Sequence, residues 1–231
     1  MRKWGIVVSA TYLVMLAGLL FPAFVFLAGD DDLFSAEFVK AVREVAGSAW
    51  VWVIVLALCA FEAILLFVSV DTSQKRLRPR THVALTCFVT ATLIALLTVA
   101  AILSIAVAAK SKALDGLFDP LAKLFVFVFL IWFAWGALFS AYLRDSSAPV
   151  TKAVAWLLRG SVLELLIVVP CHVIVRRRNE CSAPIATSFG ICSGIAIMLL
   201  SFGPGILFLF KKRLDAYSQR QPSAQPLQPG A

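Results

Sequence analysis

Six long apolar runs divide the chain, each bounded by charged or turn-forming residues. The runs at 4–28, 48–70, 83–109, 121–143 and 184–210 all exceed the roughly 20 residues a helix needs to cross a bilayer. The run at 154–175 reaches that length only if Arg159 snorkels to the interface, because the mainly apolar part from Gly160 to Val175 holds about 16 residues. The pattern predicts an all-α integral membrane protein, a bundle of about six transmembrane helices. Its alternative is five spans plus a re-entrant segment at 160–175. The first run follows Arg2 and Lys3 as a signal peptide would, but it is too long for an ordinary h-region and is expected to stay as a span. Pro22 should kink that span or open its last turn.

Between the first two spans the periodicity changes. Leu33, Phe34, Phe38, Val42 and Val45 recur at helical spacing among Glu37, Lys40, Arg43 and Glu44. This predicts an amphipathic helix over 33–46 lying on the membrane surface. Residues 1–214 therefore read as one polytopic domain. Residues 215–231, rich in Pro and Gln, cannot bury a core and are expected to be a disordered cytoplasmic tail.

Composition narrows the class further. Apolar residues make up 61% and charged residues 15%, against about 45–50% and 25% in soluble domains. With a mean hydropathy of +0.92, this excludes a disordered chain, a disulfide-stapled miniprotein and a water-soluble enzyme. The net charge of +8 comes from residues that flank apolar runs, which points to lipid headgroups and orientation, not to nucleic acid. Six spans with both termini cytoplasmic place 13 of the 21 Lys and Arg inside, and the re-entrant alternative places 12. The positive-inside rule thus favours six spans by a small margin, in a plasma (inner) membrane, although Arg176, Arg177 and Arg178 then fall outside.

Two carboxylates lie within apolar runs, where a charge costs about 2.5–3.5 kcal/mol on insertion scales. Counting residues along each helix puts Glu62 and Glu164 at similar, mid-membrane depth, a candidate proton or cation site together with His172 and Arg176. On an ideal helix Cys171 falls on the face of Glu164, with His172 rotated by about 80°. Pro170 loosens the backbone beside them. Cys171, Cys181 and Cys192 are candidate thiols, but their spacing matches no tight metal pair, so no metal is assigned. A bis-histidine haem would need His82 and His172 at one depth, which six spans deny. In the last run Gly190 and Gly194 form a G-x-x-x-G face for close helix approach, and Gly203, Pro204 and Gly205 should kink or break the helix.

No Gly-rich phosphate loop, His-Glu-x-x-His or nucleophile elbow is present. No catalytic residue or cofactor is therefore assigned. The first functional reading is a non-catalytic membrane subunit or assembly protein, meeting other membrane subunits or a second copy through the Gly190 and Gly194 face. The alternative is a small transporter or channel-like protein using the mid-membrane carboxylates. A third is a membrane-embedded enzyme or thiol/metal redox protein built on Cys171 and His172.

Overall fold

Apolar runs that must satisfy their own backbone fold as helices, and in the computed structural model every such run does. The structure describes residues 2–29, 35–72, 80–110, 121–144, 149–178 and 183–220. The first span consists of α1 (Arg2–Met15), a single π turn (Leu16–Leu20) and α2 (Phe21–Ala28). There follow α3 (Ala36–Gly47), α4 (Ala49–Thr72), α5 (Arg80–Ala108), α6 (Leu121–Arg144), α7 (Pro149–Arg176) and α8 (Ala183–Arg220). No strand occurs among the described residues. Six helices are long and apolar enough to cross a membrane: Ile6–Ala28, Ala49–Leu66, Val83–Ala108, Ala122–Arg144, Pro149–Arg176 and Pro184–Gly203.

Prolines decide three local features. Pro22 sits in the first turn of α2, directly after the π turn. The wider turn absorbs the missing N–H and the ring clash, so the span continues instead of ending. Pro170 lies inside α7, which still runs unbroken for 28 residues, or about 42 Å. That length removes the re-entrant alternative: Arg159 and the segment 160–175 belong to one continuous spanning helix. The expected break at Gly203, Pro204 and Gly205 is likewise absent, since α8 continues through all three to Arg220. In an apolar setting no water competes for the carbonyl a proline frees, so the helix is carried through.

Three helices, α5, α7 and α8, pack closely on one another, and α1, α2 and α4 lie against the opposite flank of α8. Of the 18-residue apolar window within Pro184–Gly203, 61% is buried, against 6% of that within Ala122–Arg144. The last helix is therefore the hub and α6 the periphery. Phe125, Phe129 and Phe133 are exposed on α6, a surface suited to lipid and not to water. Its inner edge is tied to α5 by indole N–H groups: Trp132 donates to the Thr92 hydroxyl at 3.0 Å and Trp135 to that of Thr98 at 3.1 Å.

The amphipathic helix is shorter than predicted, and Leu33 and Phe34 lie outside the described residues. Ser35 caps α3 by accepting from the Phe38 N–H at 3.0 Å. Glu37, Lys40, Arg43 and Glu44 are exposed as expected. Phe38, however, is only 6% exposed within the protein itself, and α3 packs on α2. Its apolar face is thus covered by protein at Phe38. Phe38→Asp should lower the melting temperature of the solubilised protein, by the equivalent of about 3–5 kcal/mol for loss of a buried Phe. An unchanged melt would show that only lipid covers this face.

Candidate functional site

The buried seam of α7 runs Leu157, Ser161, Glu164, Val168, His172 and Val175. Steps of three and four place all six toward α5 and α8. Cys171 is half-buried on the shoulder of this seam, while Glu164 and His172 share its buried face. The 80° rotation expected of His172 does not separate it from Glu164. A helix wedged between two neighbours buries a wide arc, and both residues fit within it.

Opposite that seam, α8 presents small residues. A Cβ at Gly190 would come within 2.9 Å of the Val168 side chain and 3.4 Å of Glu164 Oε1, and one at Gly194 would strike Glu164 Oε2. Further along, His172 Nδ1 lies 2.8 Å from the Thr187 hydroxyl oxygen. Moving four residues up α7 from Glu164 to Val168 thus moves four back along α8, the register of an antiparallel pair. The G-x-x-x-G face expected to receive another protein is used within the chain: it seats the Glu164 carboxylate.

Glu62 occupies a different seat. A Cβ at Gly203 would come within 2.6 Å of its Oε1 and 3.2 Å of Val8 Cγ1. Gly194 and Gly203 are nine residues apart, which on a helix means about 14 Å of rise and half a turn of net rotation. The two carboxylates therefore do not meet at one depth. Their seats lie on opposite faces of α8, about 14 Å apart along its axis. Equal residue counts from helix ends misplaced them because helices of one bundle start at different levels and tilt differently. Tyr12 joins the Glu62 side of α8, its hydroxyl donating to the Ala196 carbonyl at 3.0 Å.

Both glutamates are buried, at 1% and 3% exposure, and none of their four carboxylate oxygens has a hydrogen-bond partner among the described residues. Such an atom costs about 1–3 kcal/mol, more when charged. Hydroxyls are plentiful nearby but committed elsewhere. Ser161 donates to Leu158 O, Thr187 and Ser188 to Pro184 O, Ser193 to Gly190 O and Ser201 to Ile197 O. These bonds commit each hydroxyl's proton to its own helix, and the Thr187 oxygen is engaged by His172 as well. Ser104 on α5 differs: its Oγ is buried and also unpartnered. It lies 3.2 Å from the Gly190 Cβ position, and Glu164 Oε1 lies 3.4 Å from the same point. Sequence reasoning missed Ser104, one hydroxyl in a span rich in Thr and Ala, and missed Tyr12 as the polar neighbour from α1.

The remaining candidates serve other ends. Arg176 Nη1 donates to Gly29 O at 2.6 Å and Arg178 Nη1 to Ala108 O at 2.7 Å. Each guanidinium thus meets a carbonyl at the C-terminal end of another helix, where cations are favoured. Cys192 is buried and Cys171 half-buried, both as free thiols; Cys181 lies outside the described residues. No three His, Cys, Asp or Glu side chains converge on a possible metal position among the described residues. An apolar cavity of about 130 Å³ lies between the π turn, α4 and α8, lined by Leu16, Phe21, Leu58 and Ala196, and neither glutamate lines it.

The fold and this site define an all-α bundle with six membrane-length helices and two separate, sealed carboxylates seated on glycines of one helix. No family model, curated protein or solved structure matches the chain.

Proposed function

We propose that this chain is a small proton- or cation-translocating membrane protein, with Glu164 as the group that binds and releases the ion. It is oriented as a multi-pass protein of the plasma (inner) membrane with both termini cytoplasmic. The observation that carries the reading is a buried carboxylate with both oxygens unpartnered, seated against Gly190 and Gly194 beside the equally unpartnered Ser104 hydroxyl. A structural acid would gain by finding a donor or by being replaced with an apolar residue; an ion carrier must keep its oxygens available. The subunit reading loses its main support, since the glycine face it required is occupied from within the chain.

The chemistry follows from what packs on Glu164. From α5 comes the Ser104 hydroxyl, and from α8 the two glycines with the Cys192 thiol nearby in sequence. Along α7 the nearest ionisable groups are the exposed Arg159, five residues before Glu164, and Cys171 and His172, about two turns after it. Besides Glu164 itself, the side chains nearest the Gly190 and Gly194 Cβ positions are Val168, Ser104 and Leu165, none of them cationic. A proton, or a cation held by Glu164 and Ser104 oxygens, neutralises the carboxylate. Without it the charge is uncompensated in a setting where that is costly. Exchange with water requires α8 to part from α7, and the glycines leave only side-chain atoms at that contact.

Treating membranes that contain the full chain with dicyclohexylcarbodiimide tests this directly. The reagent is lipid-soluble and attacks protonated carboxyl groups. Mass spectrometry should find the adduct on Glu164, forming more slowly as pH is raised. Absence of any adduct on Glu164 across the pH range would contradict an exchanging carboxyl.

A further inference from the structure

We propose that Glu62 is a second ion site of this chain, one that binds a proton and no metal cation. The assignment does not rest on the role given to Glu164. All of α8 stands between the two carboxyls, whose seats lie on its opposite faces, about 14 Å apart along its axis. Three helices build the Glu62 seat: α4 brings the acid, α1 brings Val8 and α8 brings Gly203. Glycine is what leaves the room, since a Cβ there would come within 2.6 Å of Glu62 Oε1 and 3.2 Å of Val8 Cγ1. The acid is 1% exposed, and neither of its oxygens has a hydrogen-bond partner. A buried polar group left unsatisfied costs stability even when neutral. A leucine would fill the same seat between valine and glycine without that cost, so packing gives no reason for a carboxyl here.

The surroundings select the proton. A hard metal cation takes about six oxygen ligands, and Glu62 supplies two. Val8 and Gly203 add no side-chain oxygen, and Ser201 and Tyr12 give their protons to Ile197 O and Ala196 O. At Glu164 the unpartnered Ser104 hydroxyl offers a further oxygen, whereas no second unpartnered side-chain oxygen accompanies Glu62 among the described residues. A proton needs only one oxygen. Among the described side chains the titratable groups facing Glu62 are Tyr12 from α1 and Cys59, one turn back on α4, both near enough for its charge to act on them. On α8 no titratable residue occurs between Cys192 and Lys211. The α5 span 83–108 carries only Cys87, whose thiol donates to Gly136 O on α6. On α7 Lys152 lies over the Tyr142 ring and Arg159 is exposed, and the charged residues of α3 are exposed too. No described cation therefore compensates an ionised Glu62; an added proton does. Release breaks the O–H bond, leaves its electron pair on the carboxylate and passes the proton to water.

The full chain, purified in detergent and isotope-labelled at the glutamate carboxyl carbon, allows each acid to be followed by NMR. The sequence holds Glu37, Glu44, Glu62, Glu164 and Glu180. A water-soluble paramagnetic agent broadens the exposed carboxyls, and the surviving signal that Glu62→Gln removes belongs to Glu62. Gly203→Ala, which places a methyl against Glu62 Oε1, should shift the same signal and identifies it even if Glu62→Gln does not fold. As pH is raised, that signal should move fully from the carboxylic-acid to the carboxylate position and return when pH is lowered. The titration should be the same in sodium, potassium and choline chloride. A Glu62 signal fixed at one position over the whole range in which the chain stays folded would overturn the proposal by making the acid structural. A titration displaced by sodium or potassium, but not by choline, would overturn it by making the seat a metal-cation site. Glu164 gives its own signal, lost in Glu164→Gln, so failure of that residue to titrate would be seen separately and would leave the Glu62 result standing.

Discussion

Gly194→Ala is expected to destabilise the solubilised protein by about 1–3 kcal/mol, the ordinary cost of forcing a methyl into a filled interior. The added Cβ would collide with Glu164 Oε2 and approach Leu165 Cγ and Cδ2 at 2.9 Å each. Alanine's better helix propensity returns about 1 kcal/mol at most, which does not reverse the sign. A Glu164→Ala change in the same chain should recover the part due to the carboxylate but not the part due to Leu165. The pair should therefore show a coupling energy of about 0.5–3 kcal/mol in a double-mutant cycle. Gly136 supplies the control, because a Cβ there meets nothing within 4 Å and Gly136→Ala should be neutral or mildly stabilising. If Gly194→Ala and Glu164→Ala simply add, the carboxylate is not seated where the structure places it.

Removing the acid separates stability from activity. Glu164→Leu replaces two buried, unpartnered oxygens by methyl groups of similar bulk, and it should raise stability by about 1–3 kcal/mol, the cost that an unsatisfied buried group carries. Glu164→Gln keeps the shape and should leave the melt within about 1 kcal/mol of wild type, since one neutral unsatisfied group replaces another. Both variants should lose ion movement entirely, for neither side chain can ionise. Better folding together with lost activity is the trade expected of a residue kept for function at the expense of stability. A Glu164→Leu protein that is less stable than wild type would instead mean that the carboxylate has a structural partner.

Much of this architecture is legible in the sequence, because length and apolar composition determine which segments can cross a bilayer. The span at 154–175 is ambiguous in sequence through Arg159 and through the triple arginine that ends it, and α7 settles its length by starting five residues earlier, at Pro149. Pro204 does not end α8, and for a physical reason: helix-breaking rules come from water, and an apolar surround relaxes them. The identity of the buried acids is also legible, since a carboxylate within an apolar run is conspicuous. Their arrangement is not. Whether Glu62 and Glu164 meet depends on helix tilt and relative height, which no single helix encodes. The destination of the Gly190 and Gly194 face is equally hidden, because a small-residue face serves an internal helix as readily as a foreign one. Ser104 and Tyr12 become partners only through the register of α5 and α1 against α8.

The central claim is that Glu164 binds and releases an ion in the course of translocation. Its most direct test is proton movement across lipid vesicles reconstituted with the purified full chain, read by a trapped pH-sensitive dye after an imposed membrane potential. The wild-type chain should acidify or alkalinise the lumen well above protein-free vesicles, and Glu164→Gln, folded and present at equal amount, should match the protein-free rate. Movement by Glu164→Gln at the wild-type rate, or a wild-type rate no greater than that of empty vesicles under proton, sodium and potassium gradients alike, would contradict the account.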